Sequence, residues 1–306
     1  MSREKIAILG LGSMGGGMAR SALAAGLDVV GYDPGAATSD AFAAAGGTVA
    51  ASPRTAVDGA RCVFAVVVNA RQTEDILFGG GDGNETGIAD VMLPGSVFVG
   101  CSTMPPDQPR RFAEMLGARD VLYLDAPMSG GPAKAAEGAL TFMASGTDAA
   151  FDAARFALDA MGEKTYRLGD QAGAGATMKM INQLLAGVHI AAACEAMAFA
   201  VRMGLNADQV YEVITHAAGN SWMFENRVPH ILEGDYSPKS AVGIFTKDLG
   251  IVSDTARDAS FPLPMANTAL QMFTMAAAAG MTGDDDASVA RVYAMLSGIA
   301  LPDGEA

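Results

Sequence analysis

The first half of the chain alternates short apolar runs with segments of helical periodicity. Runs that are apolar on both faces are typical of buried parallel strands, and the segments between them are typical of crossover helices. The pattern predicts strands over Lys5–Leu9, Asp28–Tyr32, Cys62–Val68, Ser96–Gly100, Val121–Asp125, Ala139–Ala144 and Thr165–Leu168. It predicts helices between them, for example over Met14–Ala25, Gln108–Leu116 and Asp148–Met161. We therefore expect an α/β domain built on a parallel sheet.

The second half changes character after Gly169. A pattern rich in Ala, Met, Ile and Leu runs without proline from Gly173 to Arg202 and predicts one long helix. Helical periodicity then dominates as far as the C-terminus, over Ala207–Ala217, Trp222–Glu233, Val242–Ala259 and Pro264–Ala279. We expect two domains: residues 1–169 form the α/β domain, and residues 170–306 form a connecting helix plus an all-helical domain.

Composition narrows the classes of partner. The chain has 306 residues, which suits about two domains, and its formal net charge is −14. Nucleic acids and anionic membrane surfaces both require a basic protein surface, so we expect neither as a partner. If the substrate is an anion, a few local Lys or Arg side chains must hold it.

The cysteines give no sign of a metal site or a disulfide, and the most apolar stretch gives no sign of a membrane anchor. Cys62, Cys101 and Cys194 lie far apart in the sequence and match no metal-ligand spacing, so we expect no metal and a reducing, cytoplasmic environment. The chain begins with a strand pattern, which argues against a secretory signal. The apolar stretch Ala186–Val201 is shorter than a spanning helix requires, and we interpret it as a buried helix.

A glycine-rich turn follows the first predicted strand. Gly10-Leu11-Gly12-Ser13-Met14-Gly15 stands between strand and helix, and the second strand pattern is followed by Asp33. In a dinucleotide-binding Rossmann domain such glycines allow a tight turn, close approach of the pyrophosphate and close helix packing. A carboxylate at the position of Asp33 binds the ribose hydroxyls and repels a 2′-phosphate. The pattern therefore predicts NAD, not NADP, as the cofactor.

Later strand ends and the long helix supply candidate chemistry. Thr103 follows one strand, and Ser129-Gly130-Gly131 follows another, where a hydroxyl and backbone N–H groups suit a carboxylate or form an ordinary turn. On the long helix, Lys179, Asn182 and Gln183 share one face, so Lys179 either extends to solvent or occupies a partly buried catalytic site. Lys247 is followed directly by Asp248, a pairing that also suits a surface ion pair.

Together these motifs resemble the β-hydroxyacid dehydrogenase family, which includes 3-hydroxyisobutyrate dehydrogenase and tartronate semialdehyde reductase. The matching segments occur in the family's order across nearly the whole chain: GLGSMG (10–15), CST (101–103), DAPMSGG (125–131), GATMKMINQ (175–183) and KDLG (247–250). The resemblance departs from the usual family pattern at Met128 and Gln183. It implies a Rossmann domain, a helix with the catalytic lysine, and an all-α domain used in oligomerisation.

The resemblance also implies residue roles. Lys179 is the expected catalytic residue. The expected substrate-binding residues are Ser129, Gly130, Gly131, Asn182, Trp222 and Asn226. The expected cofactor-binding residues are Gly10, Leu11, Gly12, Ser13, Met14, Gly15, Asp33, Val68, Asn69, Thr103 and Lys247. A homo-oligomer, a dimer or tetramer through the helical domain, is the expected assembly.

Within the family, three stretches resemble the L-threonate dehydrogenase branch: residues 66–74, 182–198 and 219–232. The last is rich in polar and aromatic residues, with Arg227 as a weaker candidate cation, although cap and core roles remain open for some of them. We expect NAD-dependent oxidation of a hydroxy acid, L-threonate first and 3-hydroxyisobutyrate or tartronate semialdehyde chemistry as alternatives. Lys179 and the intact glycine motif argue against an imine reductase and a non-catalytic dinucleotide-binding protein.

Overall fold

The computed structural model describes residues 4–80 and 86–303. The chain divides into two compact units, Met1–Lys179 and Met180–Ala306. The division falls inside one helix of 29 residues, so that helix belongs to both units.

A parallel sheet of six strands forms the centre of the first unit. Its strands are β1 Lys5–Leu9, β2 Asp28–Tyr32, β3 Thr48–Val49, β4 Cys62–Ala65, β5 Val97–Gly100 and β6 Leu122–Asp125, in the order β3-β2-β1-β4-β5-β6. Ile6 and Ile8 of β1 join one buried apolar cluster, and Ala7 and Leu9 join another. Successive side chains of a strand point to opposite faces, so both faces of β1 are covered and its central positions are apolar. The predicted α/β class with a parallel sheet is confirmed.

Seven helices accompany this sheet in the described part of the first unit. They are α1 Ser13–Ala24, α2 Ala36–Ala44, α3 Pro53–Val57, α4 Ala70–Phe78, α5 Asp107–Gly117, α6 Gly131–Glu137 and α7 Asp148–Met161.

A second, three-stranded sheet corrects one detail of the sequence prediction. It consists of β7 Met128–Ser129, β8 Leu140–Ala144 and β9 Gly162–Arg167, and the central strand β8 runs antiparallel to β7 and parallel to β9. The sequence pattern placed the segments of β8 and β9 in the main parallel sheet. That expectation was wrong because strand pairing is a long-range choice, and the two residues of β7 show no periodicity.

The described part of the second unit is helical, as predicted. After α8 Ala174–Arg202 come α9 Ala207–Thr215, α10 Trp222–Glu233, α11 Val242–Asp258, α12 Pro264–Ala276 and α13 Val289–Ser297. A π-helical turn over Ala277–Met281 follows α12, so the α-helix ends three residues before the predicted boundary, and Gly280 within the turn has φ +88°. Phe245 and Phe273 stack in the core at a ring-centroid distance of 5.0 Å.

Helix α8 is long and apolar enough to cross a membrane by length and composition alone. Its buried residues Ile190, Cys194 and Met197 belong to the apolar core of the second unit. A core helix can be as long and as apolar as a helix that spans a membrane. Because these residues of α8 are buried in the core, we interpret α8 as a core helix.

The start of α8 is held by polar atoms from two strand ends. Oδ2 of Asp125, a residue that is 1% exposed, accepts hydrogen bonds from the N–H groups of Gly173 (2.9 Å) and Ala176 (2.8 Å). Ser145 Oγ donates to the same oxygen at 3.2 Å and accepts from Gly175 N–H at 2.9 Å. The first N–H groups of a helix have no partner within it, so these two side chains act as its cap.

This cap predicts a pH-dependent stability. Burial raises the pKa of Asp125 to about 6, although the N–H groups and the Ser145 hydroxyl act in the opposite direction. Because the folded pKa lies above the unfolded one, the carboxyl favours folding most below about pH 4 and loses that contribution as pH rises through 6. Relative to wild type, Asp125→Asn should therefore gain about 2 to 3 kcal/mol in free energy of unfolding between pH 4 and pH 7.5.

Urea titrations of wild type and Asp125→Asn at several pH values measure this difference. Asp159→Asn, which changes an exposed aspartate of α7, controls for the loss of a surface carboxylate. A difference between Asp125→Asn and wild type that is constant from pH 4 to 7.5 would contradict the account.

Candidate active site

The glycine-rich turn joins β1 to α1 with no room for side chains at two positions. Gly10 has φ +95°, and a Cβ there would lie 2.4 Å from the Val66 carbonyl oxygen. A Cβ on Gly15 would lie 1.9 Å from the Gly10 carbonyl oxygen. Glycine is therefore required at both positions, which lets α1 pack directly on the strand that precedes it.

The N-terminus of α1 is built to face a ligand. A Cβ on Gly12 would meet no atom within 4 Å, so the space beside its backbone is open. Gly12 is also the N-cap residue of α1 and has no side chain that could accept from the first N–H groups. By contrast, the side chains of Asn69 and Thr147 cap α4 and α7. The first N–H groups of α1 and the helix dipole are thus available to a pyrophosphate, which fits the cofactor predicted from the motif.

Asp33 follows β2 and is held in a fixed orientation. Its Oδ2 accepts a hydrogen bond from Leu11 N–H at 2.7 Å, and its Oδ1 accepts one from Gly35 N–H at 2.8 Å. The first of these bonds ties the carboxylate to the glycine-rich turn itself. Each oxygen keeps a further lone pair that can accept from a ribose hydroxyl. Asp33 therefore stands where the sequence predicted the acid, next to the phosphate-binding turn.

The loops after β4 and β5 lie at the same edge of the sheet, since all these strands are parallel. Val68 is an exposed residue of the first loop, and Asn69 next to it caps α4 by accepting from Gln72 N–H at 2.9 Å. In the second loop, Ser102 is buried and Thr103 is half-buried. Ser102 Oγ donates to the Val67 carbonyl oxygen at 2.8 Å and so ties the two loops together. The Ser102 hydroxyl is therefore used within the fold.

The loop after β6 carries the next group of predicted residues. Ser129, Gly130 and Gly131 are half-buried. A Cβ on Gly131 would meet no atom within 4 Å, so its backbone borders open space. A hydroxyl and an unobstructed backbone are groups that can bind a carboxylate.

Lys179 lies one turn beyond the capped start of α8 and is half-buried. The first unit therefore contains the glycine-rich turn, Asp33, the three loops and Lys179.

In the second unit a hydrogen-bonded chain connects α8 to α11. Asn182 Nδ2 donates to Gln183 Oε1 at 3.0 Å, and Gln183 Nε2 donates to Asp248 Oδ2 at 2.6 Å. Asp248 is 2% exposed, and its other oxygen pairs with Lys247 Nζ at 2.6 Å. Gln183 is thus a buried connector between Asn182 and the Lys247–Asp248 pair. Sequence analysis noted Gln183 on the same helix face as Lys179 and Asn182, and as a departure from the family pattern, but gave it no partner.

The residues of α10 that sequence analysis considered divide into an exposed group and a buried group. Trp222 is 56% exposed, and Asn226 lies four residues later on the same exposed face. Phe224 is buried and stacks with Tyr211.

Arg227 corrects the sequence interpretation, which kept it as a weaker substrate cation. Its side chain is buried, and Nε pairs with Asp286 Oδ1 at 2.6 Å. Burial raises the pKa of Asp286 to about 6, and the Arg227 charge acts against that rise. An arginine committed to a buried carboxylate in this way is part of the core and is not a substrate ligand.

These features suit redox chemistry on a bound dinucleotide. The first unit offers a glycine-rich turn beside a helix N-terminus, a carboxylate tied to that turn, a polar loop and an amine. Among residues 4–80 and 86–303, no group of three or more His, Cys, Asp or Glu side chains could hold a metal ion.

Two family models together match most of the chain. Residues 5–169 match the NAD binding domain of 6-phosphogluconate dehydrogenase, and residues 173–293 match a model described as NAD-binding of NADP-dependent 3-hydroxyisobutyrate dehydrogenase. The expected cofactor, NAD, is confirmed at the level of these domains.

Full-length relatives support the same assignment. The chain is 52% identical over 308 residues to the L-threonate dehydrogenase of Cupriavidus necator, covering 99% of each protein. It is 47% identical to that of Escherichia coli K12, covering 98% of this chain and 97% of the relative. The crystal structure of a 3-hydroxyisobutyrate dehydrogenase from Salmonella typhimurium superimposes with a TM-score of 0.89 at 49% identity, covering 94% of this chain and 99% of that one. The chain therefore belongs to the β-hydroxyacid dehydrogenases and is an NAD-dependent oxidoreductase of that family.

Proposed function

We propose that the enzyme oxidises L-threonate at its C2 hydroxyl to the 2-oxo acid. The observation that carries this proposal is the 52% identity to an L-threonate dehydrogenase across 99% of both chains. The exposed polar face of α10 with Trp222 and Asn226 adds support, because a substrate with several hydroxyls needs hydrogen-bonding partners. 3-Hydroxyisobutyrate has one hydroxyl and would make fewer such hydrogen bonds.

The proposed mechanism assigns one proton transfer to the protein. NAD, when bound, supplies the hydride acceptor. Lys179 takes the proton of the C2 hydroxyl as hydride leaves C2, and returns it in the reverse direction. The Ser129 hydroxyl and the backbone N–H groups of Gly130 and Gly131 bind the carboxylate.

The remaining residues are assigned to orientation and to the cofactor. Asn182 orients the hydroxyl or the Lys179 amine, and its amide is held by Gln183 at 3.0 Å. Val68, Asn69, Thr103 and Lys247 are assigned to the nicotinamide end, and Leu11, Ser13 and Met14 with the three glycines to the pyrophosphate.

We extend the proposal to organisation and assembly. The domain boundary is placed near Gly169, and the enzyme is placed in the cytoplasm, where its three buried free cysteines would remain reduced. The second unit exposes several large apolar side chains, including Phe199, Met203, Leu205 and Phe261. Exposed apolar surface favours association, so we propose a homo-oligomer through the helical domain.

The substrate is tested by steady-state NADH formation with hydroxy acids of three to five carbons, including both threonate enantiomers. We expect kcat/KM for L-threonate to exceed that for 3-hydroxyisobutyrate by about 10²-fold or more, because unpaired polar groups penalise the analogue. A preference for 3-hydroxyisobutyrate or for tartronate semialdehyde reduction would overturn the substrate while leaving the family intact.

The acid–base assignment is tested by Lys179→Ala. General acid–base catalysis contributes about 10²- to 10⁴-fold, so kcat should fall by that factor while the Kd for NADH stays within about twofold of wild type. Lys164→Ala, at an exposed lysine of the first unit, is the matched control. Unchanged turnover in Lys179→Ala would remove the lysine from the mechanism.

Cofactor preference is tested by Asp33→Ala combined with Pro34→Arg. Loss of the carboxylate removes repulsion of a 2′-phosphate, and the arginine supplies a partner for it, so the NADP/NAD ratio of kcat/KM should rise at least about tenfold. Asp40→Ala, an exposed aspartate of α2, controls for loss of negative charge near this turn. A ratio that does not move would contradict the role of Asp33.

A further inference from the structure

One of the two side chains that cap α8, that of Asp125, belongs to the strand that leads into the proposed substrate loop. Asp125 is the last residue of β6, and Ser129 follows it by four positions. Asp125 N–H donates to the Ser145 carbonyl oxygen at 3.0 Å, and Ser145 N–H donates to the Asp125 carbonyl oxygen at 2.8 Å. The two capping residues are therefore joined to each other by backbone hydrogen bonds, in addition to their contacts with the helix.

Three N–H groups of the first turn of α8 depend on this pair. Gly173 and Ala176 donate to Asp125 Oδ2, and Gly175 donates to Ser145 Oγ. The acceptors are two atoms of two different residues, so a shift of the helix start cannot keep all three bonds at these lengths. A negative charge at this end is also favoured by the helix dipole.

Close packing leaves the helix start no freedom to shift. A Cβ on Gly175 would lie 2.4 Å from the Met143 carbonyl oxygen and 2.8 Å from the Asp125 carbonyl oxygen. The backbone of the first turn thus rests directly on the ends of β6 and β8. Any displacement toward the strands is blocked, and any displacement away from them breaks buried hydrogen bonds.

Lys179 lies on the same face as Gly175, four residues and about 6 Å further along the helix. A displacement of the first turn is therefore transmitted to the lysine over one turn of helix. Misplacement of a catalytic group by about 1 Å can cost on the order of 10² in rate.

We propose that Asp125 is a positioning residue that, together with Ser145, sets where the Lys179 amine stands relative to Ser129. The inference rests on the proposed acid–base role of Lys179. It goes beyond that role because it makes a carboxylate that contacts neither substrate nor cofactor necessary for turnover.

The test compares Asp125→Ala, Asp125→Asn and Ser145→Ala at a temperature where circular dichroism shows all three folded. In Asp125→Ala, kcat should fall at least about tenfold, while KM and the Kd for NADH change less than about threefold. Asp125→Asn should regain most of the lost kcat, because its amide oxygen can accept from the same two N–H groups. Ser145→Ala should give an intermediate loss, since Gly175 N–H then lacks its partner.

Two outcomes would overturn the proposal: a folded Asp125→Ala enzyme with wild-type kcat, or an Asp125→Asn enzyme no faster than Asp125→Ala. A loss of thermal stability without a loss of kcat would show a purely structural cap. Asp148→Asn, at an exposed aspartate of α7, is the matched control.

A second readout separates this proposal from the proposed function. If wild type oxidises no hydroxy acid, the proposed function is wrong. The positioning of Lys179 is then measured as the rate at which it reacts with trinitrobenzenesulfonate, followed by peptide mass spectrometry. Asp125→Ala should change the rate of Lys179 modification at least about threefold, and Asp125→Asn should not. An unchanged rate in Asp125→Ala would contradict the positioning role independently of activity.

Discussion

The hydrogen bonds between Asp125, Ser145 and the first turn of α8 are the constraint on which the chemistry of the first unit depends. They attach the helix that carries Lys179 to the strand that carries the Ser129 loop. Burying a carboxylate costs free energy, and the raised pKa of Asp125 records that cost. The protein accepts it because the group satisfies N–H donors that the helix itself cannot pair.

The basic side chains are also used to satisfy charged groups within the fold. On a chain of net charge −14, several cations pair with carboxylates within the fold, as Arg227 does with Asp286 and Arg111 does with Glu74. In the glycine-rich turn the anion is met by helix N–H groups, which need no basic side chain. An acidic enzyme can in this way bind a dinucleotide and an organic acid without a basic surface.

Much of the fold could be predicted because both faces of the main sheet are covered. Continuous apolar runs therefore marked β1, β2 and β4 to β6 within a few residues, and uninterrupted periodicity marked α8. The glycine-rich turn and Asp33 could also be predicted, since their chemistry is local in sequence. Pairing between distant segments could not, and the separate sheet of β7 to β9 was missed for that reason.

The same distinction holds for individual site residues. The proposed roles of Lys179 and Asn182 come from residues within one helical turn. The partners that hold them could not be predicted, because Asp125 is 51 residues from Ala176 and Gln183 is 65 from Asp248. Arg227 was misjudged because nothing near it in the sequence reveals Asp286, 59 residues away.

The central claim is that hydride passes from C2 of L-threonate to NAD. Incubation of the enzyme with NAD and L-threonate deuterated at C2 tests it most directly, with mass spectrometry of the NADH that forms. The account predicts NADH that carries one deuterium and a kcat/KM lowered by a primary isotope effect or unchanged where another step limits. NADH without deuterium, or no NADH at all, would contradict it.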